Sequence, residues 1–335
     1  MNSFGRLFRV IIFGESHGES VGINIDGCPA GLSLALEDFL PDLERRKGGV
    51  QRGTTPRKED DLPIFKSGLF QGVSTGAPIT ILFENNNTRS ADYEKQRAVP
   101  RPGHADFVAH KKFGGFEDYR GGGAFSARLT VGLVAAGVIA KKLMGETIRI
   151  KADILEIGGE TDLEKGLQKA IDAKDSIGGI VECRVSGLPV GLGEPWFDSV
   201  ESLLAHAALA IPAVRGVEFG TGFAAARMFG SQHNDAIEDM AGRTRTNHAG
   251  GVVGGLTNGN ELVYRIAIKP TSSTPREQLT LNWETEQLEK FSVKGRHDLC
   301  VALRAPVILE AMTAIVLADL LLLEQRIPRV RAGDK

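Results

Sequence analysis

The stretch Pro306–Gln325 near the C-terminus carries apolar side chains around most of a helical circumference. A helix with one apolar stripe can lie on a surface, but one that is apolar on nearly every face has to be enclosed in a core or a subunit interface. The chain must therefore supply layers to wrap it. Arg128–Met144 makes a similar demand, because its small apolar residues, ended by Lys141 and Lys142, predict a buried helix whose neighbours approach closely. The longest apolar runs, Val131–Ala140 and Ala314–Leu323 with its interrupting Asp319, fall short of the ~20 residues that span a bilayer. With no basic-then-apolar leader at the start, we expect a cytoplasmic protein with no membrane association.

The covering layers are read from alternation. Ile148, Ile150, Ala152 and Ile154 alternate with polar residues, and so do Val181, Cys183 and Val185, and Leu262, Tyr264, Ile266 and Ile268. A period of two marks half-buried strands. Leu7–Phe13 and Ile79–Phe83 also read as strands. Helices are expected over Ser33–Arg45 despite Pro41, over Leu163–Ala173, and after Asp198, which with Glu201 resembles a capping box. The order departs from the regular βα alternation of a doubly wound sheet, so the fold class is α+β. No Pro- or Ser-rich linker and no long internal repeat divides the chain, which is read as a single domain over 1–335.

Charge and cysteine content narrow the function. The formal net charge of −2 gives no overall basicity for nucleic acid, so any anion site must be local. Cys28, Cys183 and Cys300 are odd in number and far apart, which supports neither a metal-binding Cys-x-x-Cys nor a disulfide framework. We expect no metal and a reducing compartment. Glycine accounts for 41 of 335 residues, well above the ~7% average, with no collagen-like period, so the excess belongs in specific turns.

The unusual residues gather in glycine-rich loops. Gly14-Glu15-Ser16-His17-Gly18 follows the first strand, where flanking glycines let the backbone present Ser16 and His17. A tight turn in which His17 only satisfies a carbonyl is the competing reading. Arg101-Pro102-Gly103-His104-Ala105-Asp106 places an acid where it can orient an imidazole, and a third histidine lies in Lys294-Gly295-Arg296-His297-Asp298. Between Arg45 and Lys58 the sequence packs six cations into fourteen residues, a local site for carboxylate or phosphate. A solvated basic loop or an RNA-facing patch is the alternative, weakened by the lack of aromatic side chains for base stacking. Arg120–Arg128 brings three glycines and Ser126 to the start of the buried helix, and Lys269–Ser273 offers one cation and three hydroxyls. Phosphates favour such positions. Two nucleotide-binding patterns fail: the helix after Gly220-Thr221-Gly222 is cut short by Gly230, and Gly48 and Gly53 are followed by threonines instead of the P-loop lysine.

Taken together, Gly14–Gly18, Arg101–Asp106, Arg120–Thr130, Asn247–Gly251, Lys269–Ser273 and Gly295–Asp298 resemble, in order and over nearly the full length, the motifs of the chorismate synthase family. The resemblance implies a β-α-β sandwich with helices enclosed between sheets, assembled as a homotetramer. It implies a shikimate-pathway lyase that makes chorismate from 5-enolpyruvylshikimate 3-phosphate. The reaction is an anti-1,4 elimination of phosphate that requires reduced FMN without net redox change. In some members NADPH serves as the flavin reductant.

Carried over residue by residue, the resemblance makes Arg46, Arg52, Arg128 and Arg296 substrate ligands. His17 would protonate the departing phosphate and His104 the reduced flavin. Ser16 and Asp298 would form a relay receiving the C6 proton through the flavin N5. Flavin contacts would be Ala124, Phe125, Ser126, Gln232, His233, Gly254, Lys269, Pro270, Thr271, Ser272, Ser273 and again Arg296. Ala124 and Phe125 stand where many members have Arg and Ser, and Leu129 replaces a usual acid. Two readings from other classes stay open from the sequence: a basic-loop RNA binder, with steep salt dependence and no need of FMN, and a flavoprotein oxidoreductase that consumes reductant stoichiometrically.

Overall fold

The computed structural model describes residues 2–49, 51–55, 57, 59–87, 97–293 and 297–331. Two antiparallel sheets form its outer layers. The first has the strand order Ser3–Phe4, Arg9–Gly14, Ser20–Asp26, Ile79–Glu84, Ile64–Ser67. The second runs Val214–Phe219, Leu262–Ile268, Gly179–Ser186, Arg149–Ile157. Register explains their inner faces. Val21, Ile23 and Ile25 lie opposite Phe83, Ile81 and Ile79, and all six are fully buried. In the second sheet Leu262, Tyr264 and Ile266 face Val185, Cys183 and Val181 in the same way.

Between the sheets lie the two apolar helices, Thr130–Met144 on the first sheet and Ala305–Leu323 on the second. They touch at Gly137, where an added Cβ would meet that of Ala311 at 2.4 Å. The small residues of the first helix are therefore what lets the second come close. With its leading turn the second helix spans Val301–Leu323, long and apolar enough by length and composition to cross a membrane, yet its apolar window is 89% buried inside this protein. This corrects the expectation that no apolar segment reaches that length. Its two acids are used internally: the Asp319 carboxylate accepts hydrogen bonds from the backbone N–H groups of Arg6, Leu7 and Phe8, and Glu310 is described below.

Most expected elements form within a few residues, including Leu163–Ala173 without change. The first helix is Leu36–Arg46, with the exposed Pro41 inside it. Proline removes only the hydrogen bond to the carbonyl of exposed Glu37, which water can satisfy. The expected Asp198 cap is corrected: Ser199 caps Val200–Leu209 by accepting the Ser202 N–H. Ser20–Asp26 and the hairpin of Gln278–Asn282 with Gln287–Phe291 were not expected, because Gly22 and Asn24 dilute the first and charged residues the second. The layered α+β arrangement, with helices enclosed between sheets, is the fold class the sequence implied.

Candidate active site

Loops from both sheets converge around a cavity of about 600 Å³, the size of a ligand pocket. From the first sheet come Ser16 and His17, and from the end of the first helix Arg46. The segment before the first buried helix contributes Ala124, Phe125, Ser126 and Arg128, and the second sheet contributes Lys269, Thr271, Ser272 and Ser273 beyond Ile268. His104 and Asp298 complete the set of expected residues on the wall. Ser126 caps the short turn Ala127–Leu129 that leads into Thr130–Met144, its hydroxyl accepting the Arg128 N–H.

The wall is strongly cationic. Among the described residues, Arg46, Lys47, Arg57, Arg101, Arg128, Arg215, Lys269 and Arg304 face three carboxylates, Glu59, Asp61 and Asp298, an excess of five positive charges. At its centre the buried Asp61 carboxylate accepts from Arg46 Nη2 at 2.8 Å and, through its other oxygen, from Arg128 Nη1. Arg128 also donates to the Asn85 side-chain oxygen and the Glu84 carbonyl, so every guanidinium nitrogen is engaged. Burial alone would raise the Asp61 carboxyl, but the two arginines outweigh it and hold it below the usual range. Arg46 is pulled the other way: burial lowers it, Asp61 opposes, and Arg304 and Arg128 lower it further. The Nε groups of Arg46 and Arg304 are buried without a hydrogen-bond partner. Such a cluster gains from an arriving anion, since each unmade hydrogen bond of a buried charged group costs free energy.

His17 and His104 flank one turn. Gly121 and Gly122 are left-handed, and the Ser16 N–H donates to the Gly123 carbonyl at 3.1 Å, tying the turn to the His17 loop. His104 Nδ1 lies 2.5 Å from Asp106 Oδ1. Arg101 Nη2 is also 3.1 Å from Nδ1, but one ring nitrogen cannot donate and accept at once, and the nearer carboxylate assigns it the proton. Nε2 is then the atom left for chemistry. Burial pushes the Asp106 carboxyl up, yet hydrogen bonds from Arg101 and His104 hold it well below its usual value. Asp106 thus stays an anion that orients the imidazole.

Other expected residues are elsewhere. Arg52 is exposed, donates to the Gln168 side chain at 2.9 Å and does not line the cavity. Gln232 and His233 sit in the turn Gly230–His233 and Gly254 in the hairpin after Val253, all away from this wall, and Pro270 is not on it either. Arg296 lies outside the described residues. Conversely, Glu59, Asp61 and Arg304 were not foreseen. Arg57 donates to Ser16 Oγ at 3.2 Å and is held by Glu59, while Arg304 donates to Asp298, which also accepts the Thr55 N–H. The only sequence signal for the acids was their position just after the basic loop.

Comparison with known proteins gives one answer. The chorismate synthase family model matches residues 8–322. The chorismate synthase of Chitinophaga pinensis is 71% identical over 330 residues, covering 98% of this chain and 99% of that one. One from Dehalococcoides mccartyi is 45% identical, covering 98% and 99%. That of Methanocaldococcus jannaschii is 41% identical, covering 96% of each. A crystal structure of a chorismate synthase superposes with a TM-score of 0.73 at 28% identity, covering 99% of this chain and 94% of that one. With a layered fold, a cationic cavity and two histidines on one glycine turn already in place, these matches show that the chain belongs to the chorismate synthase family.

Proposed function

We infer that the cavity carries out the reaction of its family, the conversion of 5-enolpyruvylshikimate 3-phosphate to chorismate, and that the chain is a carbon–oxygen lyase. The observation that carries this reading is the meeting of His17 and His104 at consecutive glycines inside a wall with five excess positive charges. The substrate bears one phosphate and two carboxylates, and guanidinium forks bind both groups bidentately. Arg46 and Arg128, set by Asp61, and Arg57, Arg101 and Arg304 on the same wall would hold it and exclude water. The C–O bond to phosphate breaks with its electron pair leaving on oxygen, and a proton is lost from C6. His17 protonates the leaving phosphate, and Ser16 and Asp298 receive the C6 proton. With its Nδ1–H held by the Asp106 carboxylate, His104 would carry a second proton at Nε2 as the imidazolium, beside the place the flavin would take.

The residues present fit reduced FMN. Thr271 Oγ1 is buried without a partner, and Lys269 Nζ lies 2.8 Å from Ser272 Oγ. Lys269, Thr271, Ser272 and Ser273 would hold the cofactor with Ala124, Phe125 and Ser126. When bound, it supplies electron density to the substrate and recovers it, leaving no net redox change. We further propose a homotetramer, supported by Phe223, Phe229, Ile237 and Met240, which are exposed on the segment that carries Gln232 and His233. A reducing, cytoplasmic setting is supported by three buried free cysteines whose thiols burial pushes up to about 11 or 12.

The test is anaerobic turnover with dithionite-reduced FMN, read by chorismate absorbance, and repeated with NADPH and oxidised FMN to assay flavin reduction by the chain itself. His17→Ala and His104→Ala should keep fold and flavin binding and lose ~10²–10⁴-fold in turnover. Near-wild-type rates in both variants reject the assigned roles.

A further inference from the structure

We propose that Gly121 and Gly122 are positioning residues for His17 and His104, and that the absence of two side chains in this turn sets where the two proton-carrying rings stand. This rests on the reading of the histidines given above. A Cβ on Gly121 would lie 2.4 Å from His17 Cδ2, 2.7 Å from its Nε2 and 3.0 Å from Ser16 Oγ. A Cβ on Gly122 would lie 3.1 Å from His104 Cε1, 3.3 Å from its Nε2 and 3.6 Å from Arg101 Nη2. Each ring therefore rests in the space that a side chain would fill.

The seat cannot slide. Gly123 is blocked by the Asp118 carbonyl, 2.1 Å from its Cβ position, and its own carbonyl accepts the Ser16 N–H. All three residues have positive φ, of 60°, 83° and 51°, a region where only glycine is at ease. Consecutive α-carbons are ~3.8 Å apart, so one short piece of backbone fixes both imidazoles against each other. His104 is held from its other side by Asp106. Proton transfer is sensitive to such placement, and a displacement of ~1 Å can cost ~10²-fold.

The experiment is a pair of double-mutant cycles on the flavin-loaded enzyme. Gly121→Ala should lower kcat by roughly 10–100-fold, with KM and the FMN Kd within about threefold of wild type. In the His17→Ala background the same substitution should cost under about threefold, and in His104→Ala its full cost should return. Gly122→Ala should show the converse pattern with a smaller loss, since its Cβ meets the ring edge at 3.1 Å instead of 2.4 Å. If Gly121→Ala does not fold, the Gly122 cycle carries the test. In the flavin-free protein, Gly121→Ala should shift the imidazole resonances of His17 and leave those of His104, and Gly122→Ala the reverse. Equal losses in every background, with His17→Ala and His104→Ala themselves inactive, would overturn the positioning role alone. Full turnover in both histidine variants would instead overturn the reading on which it rests.

Discussion

Arg45 and Arg46 are neighbours in sequence on one helix, yet they enter two different kinds of ion cluster. Arg45 joins Lys141, Asp42 and Glu310: the Glu310 carboxylate accepts from Arg45 at 2.7 and 2.8 Å, from Lys141 at 2.9 Å and from the Ala152 N–H at 3.0 Å. Two cations meet two anions, and the cluster is closed. It joins the first helix, both buried helices and a strand of the second sheet. Arg46 joins Arg128 around Asp61, with Arg304 close by and paired with Asp298, three cations to two acids. That cluster keeps positive charge in excess and two buried, unpaired Nε groups. The difference teaches that a balanced buried cluster can act as a fastening, whereas an unbalanced one has room for a further anion, which the proposed function supplies as the substrate.

The largest test of this contrast is Asp61→Asn. Arg46 and Arg128, each about one-twentieth exposed at the side chain, would lose their shared counter-charge, at a cost of ~3–5 kcal/mol. Inorganic phosphate should then raise the melting temperature of the variant more than that of wild type, because it replaces the missing anion. An equal rise in both proteins would show that phosphate does not take the place of the Asp61 carboxylate.

Glu310→Gln should come next, at ~2–3 kcal/mol, below the full figure for a buried pair because Arg45 and Lys141 are partly in water. Phosphate should give no special relief, and kcat and KM should be unchanged for the folded fraction. Burial tends to raise the Glu310 carboxyl, but Arg45 and Lys141 lower it overall. A carboxyl with a lowered folded value stabilises the protein above its unfolded value and loses that contribution in acid. The stability gap between wild type and variant should therefore be complete above about pH 4.3 and shrink as pH falls through the lowered value. A gap independent of pH, measured by denaturant unfolding, would contradict the account.

The smallest effect expected is that of Arg45→Ala. Its side chain is 45% exposed, so screening limits the loss to ~0.5–1 kcal/mol, and catalysis should be untouched. A tenfold fall in kcat/KM would place Arg45 with Arg46 and end the distinction.

How much was legible can be judged on the same residues. The sequence marks the basic loop as a candidate anion site and the glycine-flanked Ser16, His17 and His104 as candidates for proton transfer, and the structure puts Arg46 and those three residues on one cavity. Which arginines reach that cavity was not legible. Arg45, Arg46 and Arg52 look alike in sequence, but the first turns to Glu310, the second to Asp61, and the third out to Gln168. Asp61 carried only its place after the basic loop and Arg304 no pattern, since the first owes its role to Arg46 and Arg128 and the second to an ion pair with Asp298 that no spacing announces.

By itself the sequence determined that two helices must be enclosed, because apolar periodicity is a local property that leaves no exposed face. It also determined most strands, the class of fold and most of the loops that line the cavity. Only the tertiary structure decided which charges cancel and which remain, and that two imidazoles rest on adjacent glycines. Those outcomes depend on distances through space of a few ångströms, which no spacing along the chain encodes.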